Sequence, residues 1–266
     1  MIDVTGIVVA AAVVGLVGIF VGLFLGVAGL KFKVEVDEKE EAVLAALPGN
    51  NCGGCGFAGC SGLASAIAKG EAPVNACPVG GEPVGSRIAA IMGVQAEETA
   101  RCVAFVHCQG DCERAGTDYA YTGVQDCRMM TFVPGGGPKS CNSGCIGYGN
   151  CVKACPFDAI HVVNGVAVVD RELCRACGKC VEACPKKLIS LIPHGLRTAV
   201  ACSSVDRGPV TMAACKAGCI GCGICVKNCP AQAVSVTDFH AQIDPEKCTG
   251  CGACAEKCPK KAIVQL

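Results

Sequence analysis

The chain has 266 residues, among them 26 cysteines and 35 glycines, with no Trp, 4% aromatic residues, a formal charge of zero and a pI near 6.8. Balanced charge gives no electrostatic footprint for nucleic acid, and so few aromatics leave little for a conventional core behind the cysteines. Cysteine at this density needs either disulfides or metal, and dense C-x-x-C runs whose neighbours cannot easily pair favour metal in a reducing compartment. Metal binding then supplies part of the folding free energy, and thiolate-held clusters make the loaded protein more acidic than its formal charge.

Val4 to Leu30 carries no charged residue and is flanked by Asp3 and by Lys31 and Lys33. At helical rise it is long enough to span a bilayer. The basic residues follow the apolar run, unlike a cleavable signal peptide, and they place everything beyond residue 33 in the cytoplasm by the positive-inside rule. Gly18, Gly22 and Gly26 have the spacing that lets a partner helix approach.

Val34 to Leu47 reads as a helix closed by Pro48-Gly49. Cys52, Cys55 and Cys60 follow, with Cys77-Pro78 later, a set that fits one [4Fe–4S] cluster; a tetrahedral zinc site is the competing reading. Gly54, Gly56 and Gly59 match G-x-G-x-x-G, but no strand precedes them and no acidic residue follows at the ribose distance, so a dinucleotide site is rejected.

An internal repeat appears at an offset of 74 residues. Cys141, Cys145, Cys151, Cys155, Cys174, Cys177, Cys180 and Cys184 map without a gap onto Cys215, Cys219, Cys225, Cys229, Cys248, Cys251, Cys254 and Cys258. The run C-x2-C-x2-C-x3-C-P is intact twice in the second copy and once in the first, the signature of a two-cluster bacterial ferredoxin in which the fourth cysteine serves the other cluster. That rule groups Cys219, Cys222, Cys225 with Cys258, and Cys248, Cys251, Cys254 with Cys229. In the first copy it groups Cys174, Cys177, Cys180 with Cys155. The remaining site has Cys145, Cys151 and Cys184, with Tyr148 standing where Cys222 stands in the second copy. Cys141 is the nearest candidate for the gap, and without it the alternatives are a three-iron cluster or an open iron site.

Asn164-Gly165, between Ile160 to Val163 and Val166 to Val169, reads as a tight hairpin turn. Val103 to Val106 reads as a strand, and Gly135-Gly136-Gly137-Pro138 as either a hinge or a packed turn. A sixth cluster has Cys108, Cys112 and Cys127 as its leading members, with one of Cys102, Cys202 and Cys215; the alternative is buried or free thiols. Lys153, Lys186, Lys187, Lys227, Lys257, Lys260 and Lys261 lie near the cysteine runs and can guide an acidic electron donor, or simply form a solvated face. The four histidines show no ligating pattern, and no Ser/His/Asp or paired-carboxylate set suggests bond chemistry on a substrate.

The expected architecture is therefore α+β: a single N-terminal transmembrane helix (1–33), a small helical [4Fe–4S] module (34–100), a cysteine-containing connector (101–140), and two tandem two-cluster ferredoxin-like modules (141–193 and 215–266) joined by a linker (194–214). Five [4Fe–4S] clusters are expected, or six.

This order of parts resembles the B subunit of the Rnf complex, the ion-translocating ferredoxin:NAD oxidoreductase, in its longer, cysteine-rich form. The resemblance implies an electron-relay component of the cell membrane with its iron–sulfur part in the cytoplasm. It implies reduced ferredoxin as donor, flavin- and NAD-bearing subunits as partners, and Na+ or H+ translocation coupled to electron flow. A related complex uses the same kind of component to keep a redox-sensing regulator reduced. Competing readings are the iron–sulfur subunit of a hydrogenase- or formate dehydrogenase-type membrane enzyme, which would not need the Cys52 module, and a colourless zinc protein.

Overall fold

A computed structural model of the chain describes residues 4–31, 37–95 and 100–266. Asp3, Lys33 and the start of the expected 34–47 helix lie outside the described residues.

Helix α1 covers Val4–Lys31, 28 residues with Lys31 in its last turn. That corresponds to about 42 Å at helical rise, more than the roughly 30 Å hydrocarbon thickness of a bilayer. Its Ala12–Gly29 stretch has mean hydropathy 2.5 and none of it is buried against the chain. Helix α1 is thus long and apolar enough to cross a membrane.

Helix α2 (Glu38–Ala46) starts at Asp37, whose carboxylate accepts the Lys39 N–H at 2.9 Å, and has Glu38, Glu40 and Glu41 in its first turn to complement the helix dipole. It packs on α3 (Cys60–Ala68) and α4 (Gly81–Met92) through Val43, Leu63, Ile67, Val84 and Ile88. Together they make a small apolar platform beneath the first cysteines.

The first repeat runs β1 (Cys102–Val106), α5 (Asn150–Ala154), β2 (Ile160–Val163), β3 (Val166–Val169), α6 (Lys179–Ala183) and β4 (Ile189–Pro193). The second runs β5 (Thr198–Val200), α7 (Gly208–Ala214), α8 (Ile224–Lys227), β6 (Val234–Thr237), β7 (His240–Ile243), α9 (Ala253–Glu256) and β8 (Ile263–Gln265). In each, an inner hairpin (β2–β3, β6–β7) faces an outer antiparallel pair (β1–β4, β5–β8). The β2–β3 hairpin lies on the residues read from sequence, with Asn164 and Gly165 both at positive φ as its turn demands.

Residues 101–140 and 194–214 do more than connect. Strand β1 comes from the expected connector and β5 from the expected linker, and each closes the outer sheet of the repeat that follows it. Val106 pairs with Ile189, and Val200 with Ile263. Ile189 and Ile263 are equivalent by the repeat offset, so Val106 and Val200 are equivalent too, although the offset itself breaks in the longer stretch between β1 and Cys141. The Gly-Gly-Gly-Pro segment is a packed turn: a Cβ on Gly137 would contact Ile146 and the buried Met130.

Candidate iron–sulfur centres

The four Cys-Pro pairs share one backbone shape, and three of them share its hydrogen bonds. Cys155, Cys184, Cys229 and Cys258 are followed by Pro, and the residue three positions beyond each cysteine is left-handed: Asp158 (φ 50°), Lys187 (φ 51°), Gln232 (φ 51°) and Lys261 (φ 51°). For Cys184, Cys229 and Cys258 the chain closes an i→i+3 turn and aims the next N–H back at the sulfur. Leu188 N–H donates to Cys184 Sγ at 3.4 Å, Ala233 to Cys229 at 3.3 Å and Ala262 to Cys258 at 3.3 Å. Proline presets the turn and carries no competing donor. Donors aimed at sulfur stabilise thiolate and tune a cluster's potential.

The third cysteine of each run, Cys151, Cys180, Cys225 or Cys254, is buried in a short helix (α5, α6, α8, α9) entered through a glycine at positive φ. Cys155, Cys174, Cys177 and Cys180 line one cavity, and Cys219, Cys222, Cys225 and Cys258 line another. Cys229 and Cys248 lie beside Cys254, with Cys251 exposed at the rim. In the first module Cys55, Cys60 and Cys77 pack together on α3 and α4, while Cys52 faces Cys177 of the first repeat. Asn51 accepts the Cys60 N–H at 2.8 Å, and Gly80 N–H donates to Cys77 Sγ at 3.4 Å.

The irregular site differs from expectation. Cys145, Cys151 and Cys184 line a cavity whose fourth cysteine is Cys127, not Cys141. Asn150 holds it there: its Oδ1 accepts the Cys127 N–H at 3.0 Å and its amide donates to Asp126 at 2.8 Å. Tyr148 turns away and stacks near Tyr121, ring centroids 6.3 Å apart. Sequence offered one signal for Cys127, the vacancy at Tyr148 coupled with a longer preceding segment. Cys141 lies instead in a separate cavity with Cys108, Cys202 and Cys215.

Cys112 is not drawn to either cavity. It is exposed, with its N–H on Asn164 O at 2.9 Å beside the β2–β3 turn, and Cys102 points its thiol at Ala100 O. The lysines also differ among themselves. Lys186 is half-buried with its ammonium on Asn142 O, whereas Lys153, Lys187, Lys227, Lys257 and Lys261 are exposed.

Burial pushes the Cys151 thiol up to about 11, and the Cys145, Cys127 and Cys184 thiols around it oppose its ionisation further. Cys180 is pushed up to about 12 by burial and then by Cys174, Cys177, Cys151 and Cys155. Cys141 is pushed up to about 11 by burial, then by Cys108, Cys202 and Cys215. Four such thiols do not ionise together without a cation among them, so iron loading must release protons. The all-sulfur donor sets and inward N–H groups fit iron–sulfur clusters.

Comparison with known proteins agrees with this chemistry. A family described as an Fe-S cluster matches residues 47–79, and families described as 4Fe-4S dicluster domains match 138–185 and 218–262. The B subunit of the Na(+)-translocating ferredoxin:NAD(+) oxidoreductase complex of Acetobacterium woodii is 43% identical over 91% of this chain and 72% of its own length. The chain belongs to the B-subunit family of ion-translocating oxidoreductase complexes. The B subunit of the ion-translocating oxidoreductase complex of Methanosarcina acetivorans is 43% identical over 89% of each chain. The B subunit of the proton-translocating ferredoxin:NAD(+) oxidoreductase complex of Clostridium ljungdahlii is 40% identical over 90% of this chain and 84% of its own. Members of the family work beside the other components of a membrane-associated complex, and α1 fits that setting.

Proposed function

We propose that this chain is the electron-relay component of an ion-translocating ferredoxin:NAD oxidoreductase, taking single electrons from reduced ferredoxin and passing them toward flavin- and NAD-bearing subunits. [4Fe–4S] clusters, when bound, supply the one-electron sites. The chain's own residues hold them on cysteines that are buried or partly buried, except for the exposed Cys222 and Cys251. Five sites follow: Cys52, Cys55, Cys60 and Cys77; Cys155, Cys174, Cys177 and Cys180; Cys127, Cys145, Cys151 and Cys184; Cys219, Cys222, Cys225 and Cys258; Cys229, Cys248, Cys251 and Cys254. Helix α1 anchors the chain in lipid, with the sites on the cytoplasmic side of Lys31. The modules take the boundaries read from sequence, widened by β1 and β5.

The observation that carries the reading is the contact between the first module and the first repeat. A Cβ on Gly54 would stand 2.7 Å from Cys177 O, so glycine brings the two backbones, and the sites they hold, into direct contact. Cys251, the counterpart of Cys177 in the second repeat, is exposed. The same position is thus covered in the first repeat and open in the second, and the exposed Lys257 and Lys261 of the second repeat suit an acidic donor. The names of the relatives specify Na+ in one and protons in another, so the coupling ion is left as either.

The test is a stopped-flow reduction of the anaerobically prepared full chain by reduced ferredoxin. Visible bleaching that accounts for the loaded clusters is the expected result. Fully loaded clusters that stay oxidised in the presence of reduced ferredoxin would overturn the relay.

A further inference from the structure

Cys108, Cys141, Cys202 and Cys215 lie outside the five sites and line one cavity between the repeats. They form two equivalent pairs. Cys141 and Cys215 correspond by the repeat offset. Cys108 and Cys202 each lie two residues beyond Val106 and Val200, which the sheet registers make equivalent.

Their surroundings repeat as well. Cys145 N–H donates to Cys108 Sγ at 3.3 Å, and its counterpart Cys219 N–H donates to Cys202 Sγ at 3.2 Å. Gly110 N–H reaches Cys108 Sγ at 3.4 Å, and Ser204 N–H reaches Cys202 Sγ at 3.5 Å. Gly144 N–H closes a turn on Cys141 O at 3.0 Å, and Gly218 N–H does the same on Cys215 O at 3.3 Å. The same surface of each repeat faces the other across the cavity, the arrangement of an isologous interface.

The interface is rigidly tied. Gly116 N–H donates to Ala214 O at 2.9 Å, Lys216 N–H to Arg114 O at 2.8 Å and Ser203 Oγ to His107 O at 3.1 Å. His107 sits with Nδ1 2.9 Å from Val200 O and Nε2 2.7 Å from Ser190 Oγ. A carbonyl only accepts, so Nδ1 carries the proton and the neutral ring accepts from the serine through Nε2. Lys139 Nζ donates to Gly110 O at 2.6 Å, leaving a cation beside the four sulfurs.

We propose that Cys108, Cys141, Cys202 and Cys215 hold a sixth [4Fe–4S] cluster, two ligands from each repeat, that joins the two ferredoxin-like units into one electron path. The site stands on its own geometry, and only its role in the path rests on the relay reading. Each thiol gives its proton to solvent as its sulfur binds iron. The sulfurs of Cys108 and Cys202 each accept an N–H from a ligand of the adjacent site, Cys145 on one side and Cys219 on the other. The path therefore runs from the Cys52 module through the two sites of the first repeat, across this bridge, to the Cys222 and Cys251 sites.

The test counts iron and acid-labile sulfide in the anaerobically purified full chain and follows EPR. Wild type should hold about 24 irons, and C141S/C215S should lose about four while keeping the signals of the ferredoxin pairs. C102S/C112S should lose none. Should the double variant fail to fold, C141S and C215S decide separately: a three-iron EPR signal in both supports the bridge, and its absence from both overturns it. Full iron in C141S/C215S, or a loss of about four in C102S/C112S, also overturns it. A six-cluster chain that ferredoxin cannot reduce would sink the relay and leave the bridge. A chain that ferredoxin reduces, with iron unaffected by C141S/C215S, would do the reverse.

Discussion

The two repeats reach the same four-cysteine site by different routes. In the second, Cys219, Cys222 and Cys225 come from one contiguous run. In the first, Tyr148 replaces the middle cysteine and the missing sulfur arrives from Cys127, carried on a segment between Cys108 and Cys141 that is far longer than the one between Cys202 and Cys215. What is kept between them is a place in space rather than a place in sequence. The burial of Cys151 and Cys225 in equivalent helices fixes where the fourth sulfur must stand, and a loop long enough to reach can supply it.

Exchanging the routes should have the largest effect. Cys127→Ser should remove about one iron, leaving a three-iron signal, and adding Tyr148→Cys should restore it, because the regular position is again filled. Cys222→Tyr should damage the second repeat without compensation, since its short segment carries no cysteine toward that cavity. Iron analysis and EPR on the anaerobic full chain read both. An iron count unchanged by Cys127→Ser would break the comparison.

The ends of the two repeats differ next. Cys177 is covered by the first module and Cys251 is open. Gly54→Val places side-chain atoms against Cys177 O, where even a Cβ would sit at 2.7 Å, at a cost of about 1–3 kcal/mol for overpacking. The module should loosen from the repeat while retaining its own iron. Electron arrival at the Cys52 site should then slow while reduction of the second repeat by ferredoxin stays unchanged, as stopped-flow and rapid-freeze EPR would record. Equal slowing at both ends would mean the contact does not separate them.

The parts legible in the sequence are those written in consecutive residues. Cys-Pro runs announce their turns because proline and a left-handed third residue act locally, and Asn164-Gly165 announces the hairpin because both positions need positive φ. Cys127 was not legible as the fourth ligand, because spacing rules read contiguous runs and its position depends on Asn150 holding the loop. The equivalence of Cys108 and Cys202 was hidden for another reason. It follows from β1–β4 and β5–β8 register, and the unequal segments after those strands break the offset that exposed the rest. Cys112 misled by sequence proximity, since its exposed thiol lies against the β2–β3 turn and lines neither cavity.

The smallest effect concerns the hairpin turns themselves. The first repeat places Asn164 (φ 47°) and Gly165 (φ 78°) in the turn, and the second holds Asp238 (φ 49°) and Phe239 (φ 62°) in the same geometry. A phenylalanine there carries a left-handed penalty of about 1–2 kcal/mol, and its side chain is half-exposed and recovers little by burial. Phe239→Gly removes that penalty and costs about 0.5–1 kcal/mol in unfolded-chain freedom. The net gain of about 0.5–1 kcal/mol should slow anaerobic hydrogen exchange of the β6–β7 amides by about 2–5-fold if they exchange through local opening. The reciprocal Gly165→Phe should lose more than the backbone term alone, because a Cβ at Gly165 would lie 2.5 Å from Cys112 Sγ. Exchange that is unchanged or faster in Phe239→Gly would mean that the phenylalanine ring contributes contacts outweighing its backbone strain, and that the two turns are held by different forces.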